Sequence, residues 1–297
     1  MAIIEATSSQ PSAAAARPQS APRWRGVARP RLADPRIGQI IALSALASAG
    51  VFALGFDVHP AHALIAFGAA LGVQAAASLA LRLRFDPLSP AITALSLSIL
   101  FRAEAVWLVA LAAAIAIGSK FVLRWNGRHL FNPAALALVA TPLLAAPLFD
   151  LGAWVSPGQW GALGLWAVIV AGIGATVAGR AARLDTTLTF LAVWAALIFG
   201  RAAWVGDPIA IPLWQLQSGA ILVFAFHMIS DPATTPLRRD MRLLHAALVA
   251  ALGFALQRAW ITDIGPILAL VLLAPLVPAL DWITRRRIGA SDPQTGA

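Results

Sequence analysis

"FHMISDPATTPLRRD", residues 226–240, interrupts one of the most apolar parts of the chain. Pro232 predicts that a helix ends by about Ser230, because a proline inside a helix removes a backbone hydrogen bond and clashes with the preceding turn. Pro236 predicts that no long helix starts before Met241. The arginines that follow are typical of the cytoplasmic end of a membrane-spanning helix. A stop signal explains these prolines and arginines, but it leaves the role of the other polar residues open.

The composition is that of a membrane protein. Hydrophobic residues make up 60% of the chain and charged residues 12%, whereas roughly a quarter of the residues of a soluble domain are charged. The net charge of +9 does not indicate nucleic-acid binding, because the basic residues are scattered between apolar segments. The sequence has no cysteine, which excludes disulfides, thiolate-held zinc and iron–sulfur clusters formed by this chain.

We predict an all-α, polytopic membrane protein with about ten transmembrane helices. The third apolar stretch is too short to cross roughly 30 Å of hydrocarbon as a straight helix, so we expect a short or discontinuous helix there. A weak similarity between residues 85–93 and 230–236 would fit a five-plus-five repeat. The predicted spans are residues 38–56, 61–81, 88–101, 105–123, 132–149, 160–179, 186–204, 208–229, 241–258 and 263–283.

Basic residues lie mostly on one side of the predicted spans. With ten spans, most arginines share a side with both termini, and only Arg102, Arg201 and Arg258 fall on the other side. The positive-inside rule therefore places both termini in the cytoplasm and the protein in the inner (cytoplasmic) membrane, in contact with lipid. The predicted parts are a disordered basic cytosolic tail (1–36), a transmembrane domain (37–284) and a second cytosolic tail (285–297).

Three short motifs have the sequence of helix N-termini near the cytoplasmic face. They are Ser89-Pro90-Ala91, Asn132-Pro133-Ala134 and Asp231-Pro232-Ala233. In each, a residue that can cap a helix precedes proline, which is favoured at the first helical position. Helix N-termini attract anions, so the three together could form an anion-binding floor. For any single motif, helix capping at the membrane boundary is the favoured explanation.

Cations and hydroxyls adjoin two of these motifs. Lys120 is the only lysine of the chain, and an interfacial anchor at a helix end would explain it. However, every other basic residue is an arginine, which favours a specific role. Phosphate recognition combines helix N-termini, hydroxyl donors and cations, and a planar ligand also needs an aromatic side chain. We therefore predict a ligand-binding set of Lys120, Arg124, His129, Phe131, Asn132, Ser230, Asp231, Thr234 and Thr235.

Histidines offer two further candidates. His59 and His62 could form a metal or haem pair, but the intervening Pro60 favours loop residues at a helix start. His227 lies in the eighth predicted span, where an imidazole could be a haem ligand or a proton relay. A hydrogen bond to a backbone carbonyl is the more ordinary role for it. We predict no metal site and no catalytic residue.

Two stretches, "GRHLFNPAALALV" (127–139) and "LQSGAILVFAFHMISDPATTP" (216–236), resemble the NqrB and RnfD membrane-subunit family. The FNPA motif and the Asp-Pro pair after an apolar helix with a Ser-Gly pair are landmarks of that family. The resemblance runs from about residue 36 to 284 and is closer to a stand-alone, UnbU-like branch. The pattern of that branch is matched at residues 34–36, 119–124, 127–133, 154–161, 179–185, 199–217 and 228–236.

The resemblance implies electron transfer through flavins, together with redox partner subunits. Family members attach FMN covalently to the threonine of a Ser-x-Ala-Thr motif. Here Ser218-Gly219-Ala220 is followed by Ile221, and Gly174-Ala175-Thr176 is preceded by Ile173. We therefore expect FMN or riboflavin to bind non-covalently. The alternative is a small-solute transporter or channel on the same scaffold, and the sequence leaves open whether the chain is itself an enzyme.

Overall fold

The computed structural model describes residues 34–53, 55, 59–155, 164–260 and 264–290. Of the two predicted cytosolic tails, residues 1–33 and 291–297 lie outside these ranges, whereas residues 285–290 continue the last helix. The helices are α1 (Pro35–Ala53), α2 (Pro60–Ala80), α3 (Leu88–Leu100), α4 (Val106–Val122), α5 (Pro133–Phe149), α6 (Gly164–Arg180), α7 (Leu184–Val205), α8 (Ala210–Leu216), α9 (Gly219–Val223), α10 (Arg239–Trp260), α11 (Gly265–Leu273) and α12 (Leu276–Ala290). The strands are β1 (Phe101–Ala103), β2 (Arg124–Trp125), β3 (Arg128–His129) and β4 (Ala153–Val155).

The protein is an all-α membrane protein. Among the residues that the structure describes, four helices, α1, α2, α7 and α10, are long and apolar enough to cross a membrane. Two pairs of consecutive helices are bent at a short break, and the number of spans is six if each pair is counted as one span. Helix α8 and the segment from Gly219 to Met228 are bent by 45°, and α11 and α12 are bent by 50°. The other apolar helices have 10–17 residues. The count of ten spans and the side of each terminus remain predictions.

Helix α3 is short and central. Its 13 residues extend about 20 Å at 1.5 Å per residue, less than the roughly 30 Å of hydrocarbon. It packs against α1, α2, α4 and α5, and every residue from Thr93 to Leu100 is buried. The neighbouring helices therefore shield α3 from lipid, as its length requires.

Proline and its preceding residue begin two helices in the way that the sequence predicts. Pro60 opens α2, and the ring Nδ1 of His59 accepts a hydrogen bond from the amide of Ala61 at 3.2 Å. Pro133 opens α5 after Asn132. His59 thus caps a helix.

The segment after α9 decides the geometry of the motif around Asp231. Helix α9 continues into a π-helical turn, Phe224–Met228, which ends at Ile229. The chain is then irregular until α10 begins at Arg239. Pro232 and Pro236 therefore interrupt the helix as predicted, and α10 starts two residues earlier than Met241.

Two short antiparallel strand pairs connect the helices. Strands β1 and β4 join the end of α3 to the end of α5. Strands β2 and β3 form a hairpin whose turn residues, Asn126 and Gly127, both have positive φ, 48° and 80°. Asn-Gly is the sequence that such a two-residue turn favours. The hairpin carries Arg128 and His129 to the motif that follows α9.

Candidate functional site

The Asn132 motif and the Asp231 motif meet at one cavity of about 580 Å³. It lies between α1, α3, α4, the start of α5, α6 and the π-helical turn. Its polar lining includes three carboxylates (Asp34, Asp86 and Asp231) and two cations (Arg36 and Lys120). The carboxylates of the lining thus outnumber its arginine and lysine side chains by one.

Asn132 links the motif at the start of α5 to the π-helical turn. Its side-chain oxygen accepts a hydrogen bond from the amide of Ala135 at 3.0 Å, which caps α5. Its side-chain nitrogen donates to the carbonyl of Met228 at 3.4 Å. The predicted helix N-terminus at Asn132 is therefore confirmed, and the capping side chain also fixes the wall of the cavity.

Of the other two predicted helix N-termini, the one at the Ser89 motif is present, because α3 begins at Leu88, whereas the one at Asp231 is wrong. Ser89 lies inside α3, and the residue before the helix, Pro87, provides no side-chain cap. No helix begins at Asp231, because its Oδ1 instead accepts a hydrogen bond from the amide of Ala233 at 2.9 Å and closes a tight turn. Two of the three predicted helix N-termini are therefore present, those of α3 and α5.

Asp231 is paired with His129. The ring Nε2 of His129 lies 3.4 Å from Oδ2 of Asp231. Burial pushes the pKa of the Asp231 carboxyl upward, but the hydrogen bond and the charge of His129, with the amide of Ala233, outweigh burial and hold the pKa below its usual range. The carboxylate is therefore ionised at neutral pH.

Arg128 holds the loop that carries Asp231. Its guanidinium donates to the carbonyls of Pro232 at 2.8 Å, Ala233 at 3.0 Å and Thr235 at 2.6 Å. It also forms an ion pair with Asp281 of α12 at 3.2 Å. A planar guanidinium with five donors suits this fan of acceptors. Arg128 fixes the irregular loop in place of a helix.

Lys120 lines the cavity from the last turn of α4. Its Nζ donates to the hydroxyl of Ser89 at 2.7 Å and to the side-chain oxygen of Gln74 at 3.2 Å. Within the described part of the chain it forms no ion pair with a carboxylate. Two neutral partners leave its positive charge unneutralised, which is unusual for a half-buried lysine. A specific role for Lys120 is consistent with this arrangement.

Arg36 and its partners close the wall formed by α1. The Arg36 guanidinium donates to Asp34 at 2.8 Å and to Asp86, just before α3, at 2.5 Å. The hydrogen bond from Arg36 lowers the pKa of the Asp34 carboxyl from its usual range. These three residues were missing from the predicted set, although Asp34 and Arg36 belong to a stretch that the resemblance singled out. The contact with Asp86 depends on packing between α1 and α3, which sequence spacing does not show.

The structure divides the nine predicted residues into two groups. Lys120, His129, Asn132, Ser230 and Asp231 line the cavity. The others do not: Arg124, Phe131, Thr234 and Thr235.

The four residues outside the cavity have other surroundings. Arg124 is exposed and donates to the carbonyl of Gly127 in its own hairpin. Thr234 lines a smaller neighbouring cavity of about 110 Å³. Thr235 is fully buried, where it accepts a hydrogen bond from Arg183 at 3.1 Å and donates to the carbonyl of Asp231 at 3.1 Å. Phe131 is partly buried between β3 and α5.

The backbone of the π-helical turn is held by side chains from other elements. The carbonyl of Ala225 accepts from Thr187 of α7 at 2.7 Å, and the carbonyl of His227 from Gln39 of α1 at 3.4 Å. The neighbouring carbonyls of Phe226 and Met228 accept from Ser230 and Asn132. π-Helical turns often occur at functional sites. Four consecutive carbonyls are thus satisfied, and the turn is fixed against α1, α5 and α7.

These features define a multi-pass, all-α membrane protein with a polar cavity between short and bent helices. The sequence model described as the NQR2, RnfD, RnfE family matches residues 141–289, about half of the chain, and the chain belongs to this family. The matched region contains the loop that carries Asp231 and begins after Asn132.

Three curated relatives are each named as one subunit of an ion-translocating oxidoreductase complex. The protein of Citrobacter koseri is 30% identical over 109 residues, which cover 37% of this chain and 31% of the relative. That of Cronobacter sakazakii is 30% identical over 165 residues, 55% of this chain and 44% of the relative. That of Mannheimia succiniciproducens is 31% identical over 96 residues, 32% of this chain and 27% of the relative. The matches thus span less than half the length of each relative.

Proposed function

We propose that the protein is a membrane subunit that carries electrons and binds a flavin non-covalently in the cavity between α1, α3 and the π-helical turn. The observation that carries this proposal is the meeting of the Asn132 and Asp231 motifs at one cavity. Its volume of about 580 Å³ falls within the roughly 300–1,000 Å³ of small-molecule sites. The names of the relatives, which refer to an oxidoreductase complex, support an electron-transfer role.

The lining fits the ring system of a flavin. Ile92, Phe226 and Met228 offer apolar contact, while Lys120 and Ser89 provide donors or acceptors at one wall. The excess of carboxylates over arginine and lysine in the lining favours riboflavin over FMN, because a phosphate dianion would be repelled by the carboxylates. A bound flavin would accept and release electrons within the membrane. The residues of the chain would bind it, orient it and separate it from lipid.

The absence of the covalent attachment motif agrees with non-covalent binding. Ile221, which stands where the family has threonine, carries no hydroxyl to form a phosphoester. Thr176, the other candidate, donates its hydroxyl to the carbonyl of Ile173 at 2.6 Å and lies outside the cavity. Redox partner subunits in the same inner membrane, with both termini of this chain in the cytoplasm, complete the proposal.

A visible spectrum of the detergent-purified protein tests this function. After incubation with riboflavin or FMN and removal of the unbound flavin, the protein should retain the yellow absorption of a flavin. Replacing Lys120 by methionine should weaken binding about tenfold or more, because a donor in the cavity wall is lost. Arg124→Met is the matched control: it removes a nearby cation outside the cavity and should leave binding unchanged. A colourless protein that takes up neither flavin would refute the proposal.

A second candidate function is small-solute transport, supported by the packing of the two halves. In the first half of the chain, α2 packs on α4 and α4 packs on α5. In the second half, α7 packs on α10 and α10 packs on α11 in the same order. Helix α1 packs on α3 as α6 packs on the π-helical turn. A five-plus-five repeat with interrupted helices at a central site is common in transporters. Solute uptake into proteoliposomes that Asp231→Ala abolishes would favour this candidate, and an absence of uptake would exclude it.

A further inference from the structure

The imidazole of His227 stands out among the polar groups of the cavity wall. His227 lies in the π-helical turn and lines the cavity, and only 7% of its surface is exposed. Its ring Nδ1 is buried and has no hydrogen-bond partner in the described part of the chain. Buried polar groups almost always have a partner, because an unsatisfied one costs about 1–3 kcal/mol. The position of His227 therefore requires an explanation.

The surroundings of the turn fix the backbone that carries His227. The backbone carbonyl of His227 is bound by Gln39, and the carbonyls on either side of it are also bound by side chains. The preceding residue, Phe226, packs directly against Gly174 of α6, where an added Cβ would lie 2.5 Å from the ring. Backbone and neighbour are thus both fixed, while the ring Nδ1 has no partner among the described residues.

The charged and titratable groups that face the same cavity already have partners within the protein. Arg36 binds Asp34 and Asp86, and His129 pairs with Asp231. Lys120 is bound by Ser89 and Gln74. His227 is the exception among these groups within the described residues. Because Nδ1 is enclosed by protein, a ligand that enters the cavity would meet the imidazole at Nε2, for which the described residues provide no hydrogen-bond partner.

We infer that His227 is a ligand-binding residue that hydrogen-bonds a polar ring atom of a planar heteroaromatic molecule in the cavity. The inference rests on the proposed function, because the flavin ring is such a molecule. A neutral imidazole can donate from one nitrogen and accept at the other, so it suits either a ring carbonyl or a ring nitrogen. Phe226 and Met228, which flank it in the same wall, provide apolar contact for the ring. His227 would therefore select for the ring system and not for a phosphate.

Riboflavin affinity of the purified full-length protein tests this inference. His227→Phe keeps an aromatic ring but removes the hydrogen bond, and it should weaken riboflavin binding about tenfold, measured by quenching of flavin fluorescence. His227→Gln keeps a donor and an acceptor and should restore affinity to within about threefold of the unmodified protein. His245→Phe is the matched control, because His245 of α10 is also buried with both ring nitrogens unpartnered among the described residues but does not line the cavity. It should leave the affinity unchanged.

A second measurement on the unmodified protein guards against poor folding of the phenylalanine variant. In ¹⁵N spectra of histidine-labelled protein, the signal that His227→Gln removes should shift when riboflavin is added. Equal affinity of the unmodified protein and His227→Phe, or an unshifted His227 signal at saturating riboflavin, would overturn the role of His227 alone. Failure of the unmodified protein to bind either flavin would overturn both this role and the proposed function.

Discussion

His129 and Asp231, which are 102 residues apart in the chain, meet with the ring Nε2 of His129 3.4 Å from Oδ2 of Asp231. Each belongs to one of the two motifs that the resemblance to NqrB and RnfD singled out. The pair joins the hairpin after α4 to the loop after the π-helical turn. The structure thus brings both motifs to a single cavity wall.

We expect the pairing of His129 with Asp231 to make the stability of the folded protein depend on pH. The folded-state pKa of Asp231 is held below its usual value, which is about 3.9 in an unfolded chain. The stabilisation is therefore complete above that unfolded value and is lost as the pH falls through the folded-state pKa. Asp231→Asn should lower the melting temperature at about pH 6 and flatten its decline between about pH 5 and pH 3. Parallel pH profiles for the two proteins would contradict this account.

Arg128 should be required for the order of the loop from Asp231 to Arg238. Arg128→Lys replaces a planar fork by a single ammonium, which cannot reach three carbonyls and Asp281 together. We expect the free energy of unfolding to fall by about 1–3 kcal/mol and cleavage of the loop by thermolysin to accelerate. Arg124→Lys, the same change at an exposed position of the same hairpin, should alter neither quantity. Equal behaviour of the two variants would show that Arg128 does not hold the loop.

We expect that position 174 does not tolerate a side chain, because Gly174 lies against the ring of Phe226. An added Cβ at Gly174 would lie 2.5 Å from the Phe226 ring, so Gly174→Ala must displace the ring or α6. Such overpacking typically costs about 1–3 kcal/mol. Gly172→Ala, two residues away on the same helix, meets no atom within 4 Å and should be neutral or slightly stabilising. Thermal unfolding in detergent compares the two, and equal melting temperatures would be inconsistent with this packing.

The sequence predicts local features of this fold better than contacts between distant segments. Pro232 ends a helix and Asn132 caps one because both effects act within a few residues. The failed prediction at Asp231 has a non-local cause: the side chain turns back to Ala233, and Arg128 from a distant hairpin fixes the loop in that shape. The contact of Arg36 with Asp86 and the missing partner of His227 among the described residues also depend on packing between helices. Residue type and spacing do not determine these.

The absence of cysteine from the sequence makes the predicted orientation simple to measure. Arg84 lies in the exposed segment between α2 and α3, and Pro208 lies in the exposed segment between α7 and α8. The two single-cysteine variants are Arg84→Cys and Pro208→Cys. A membrane-impermeant maleimide added to spheroplasts should label the second variant, whereas the first should require permeabilised membranes. This result would agree with the positive-inside rule. The reverse pattern would place both termini on the outer side and overturn the proposed topology.

The central claim is that the Asn132 and Asp231 motifs enclose one flavin-binding cavity. An experimental density map of the purified protein saturated with riboflavin tests it most directly. We predict ring-shaped density between Lys120, Asn132 and Phe226, within hydrogen-bonding distance of the His227 ring. A map with this cavity empty, or with riboflavin bound at another surface, would contradict the claim.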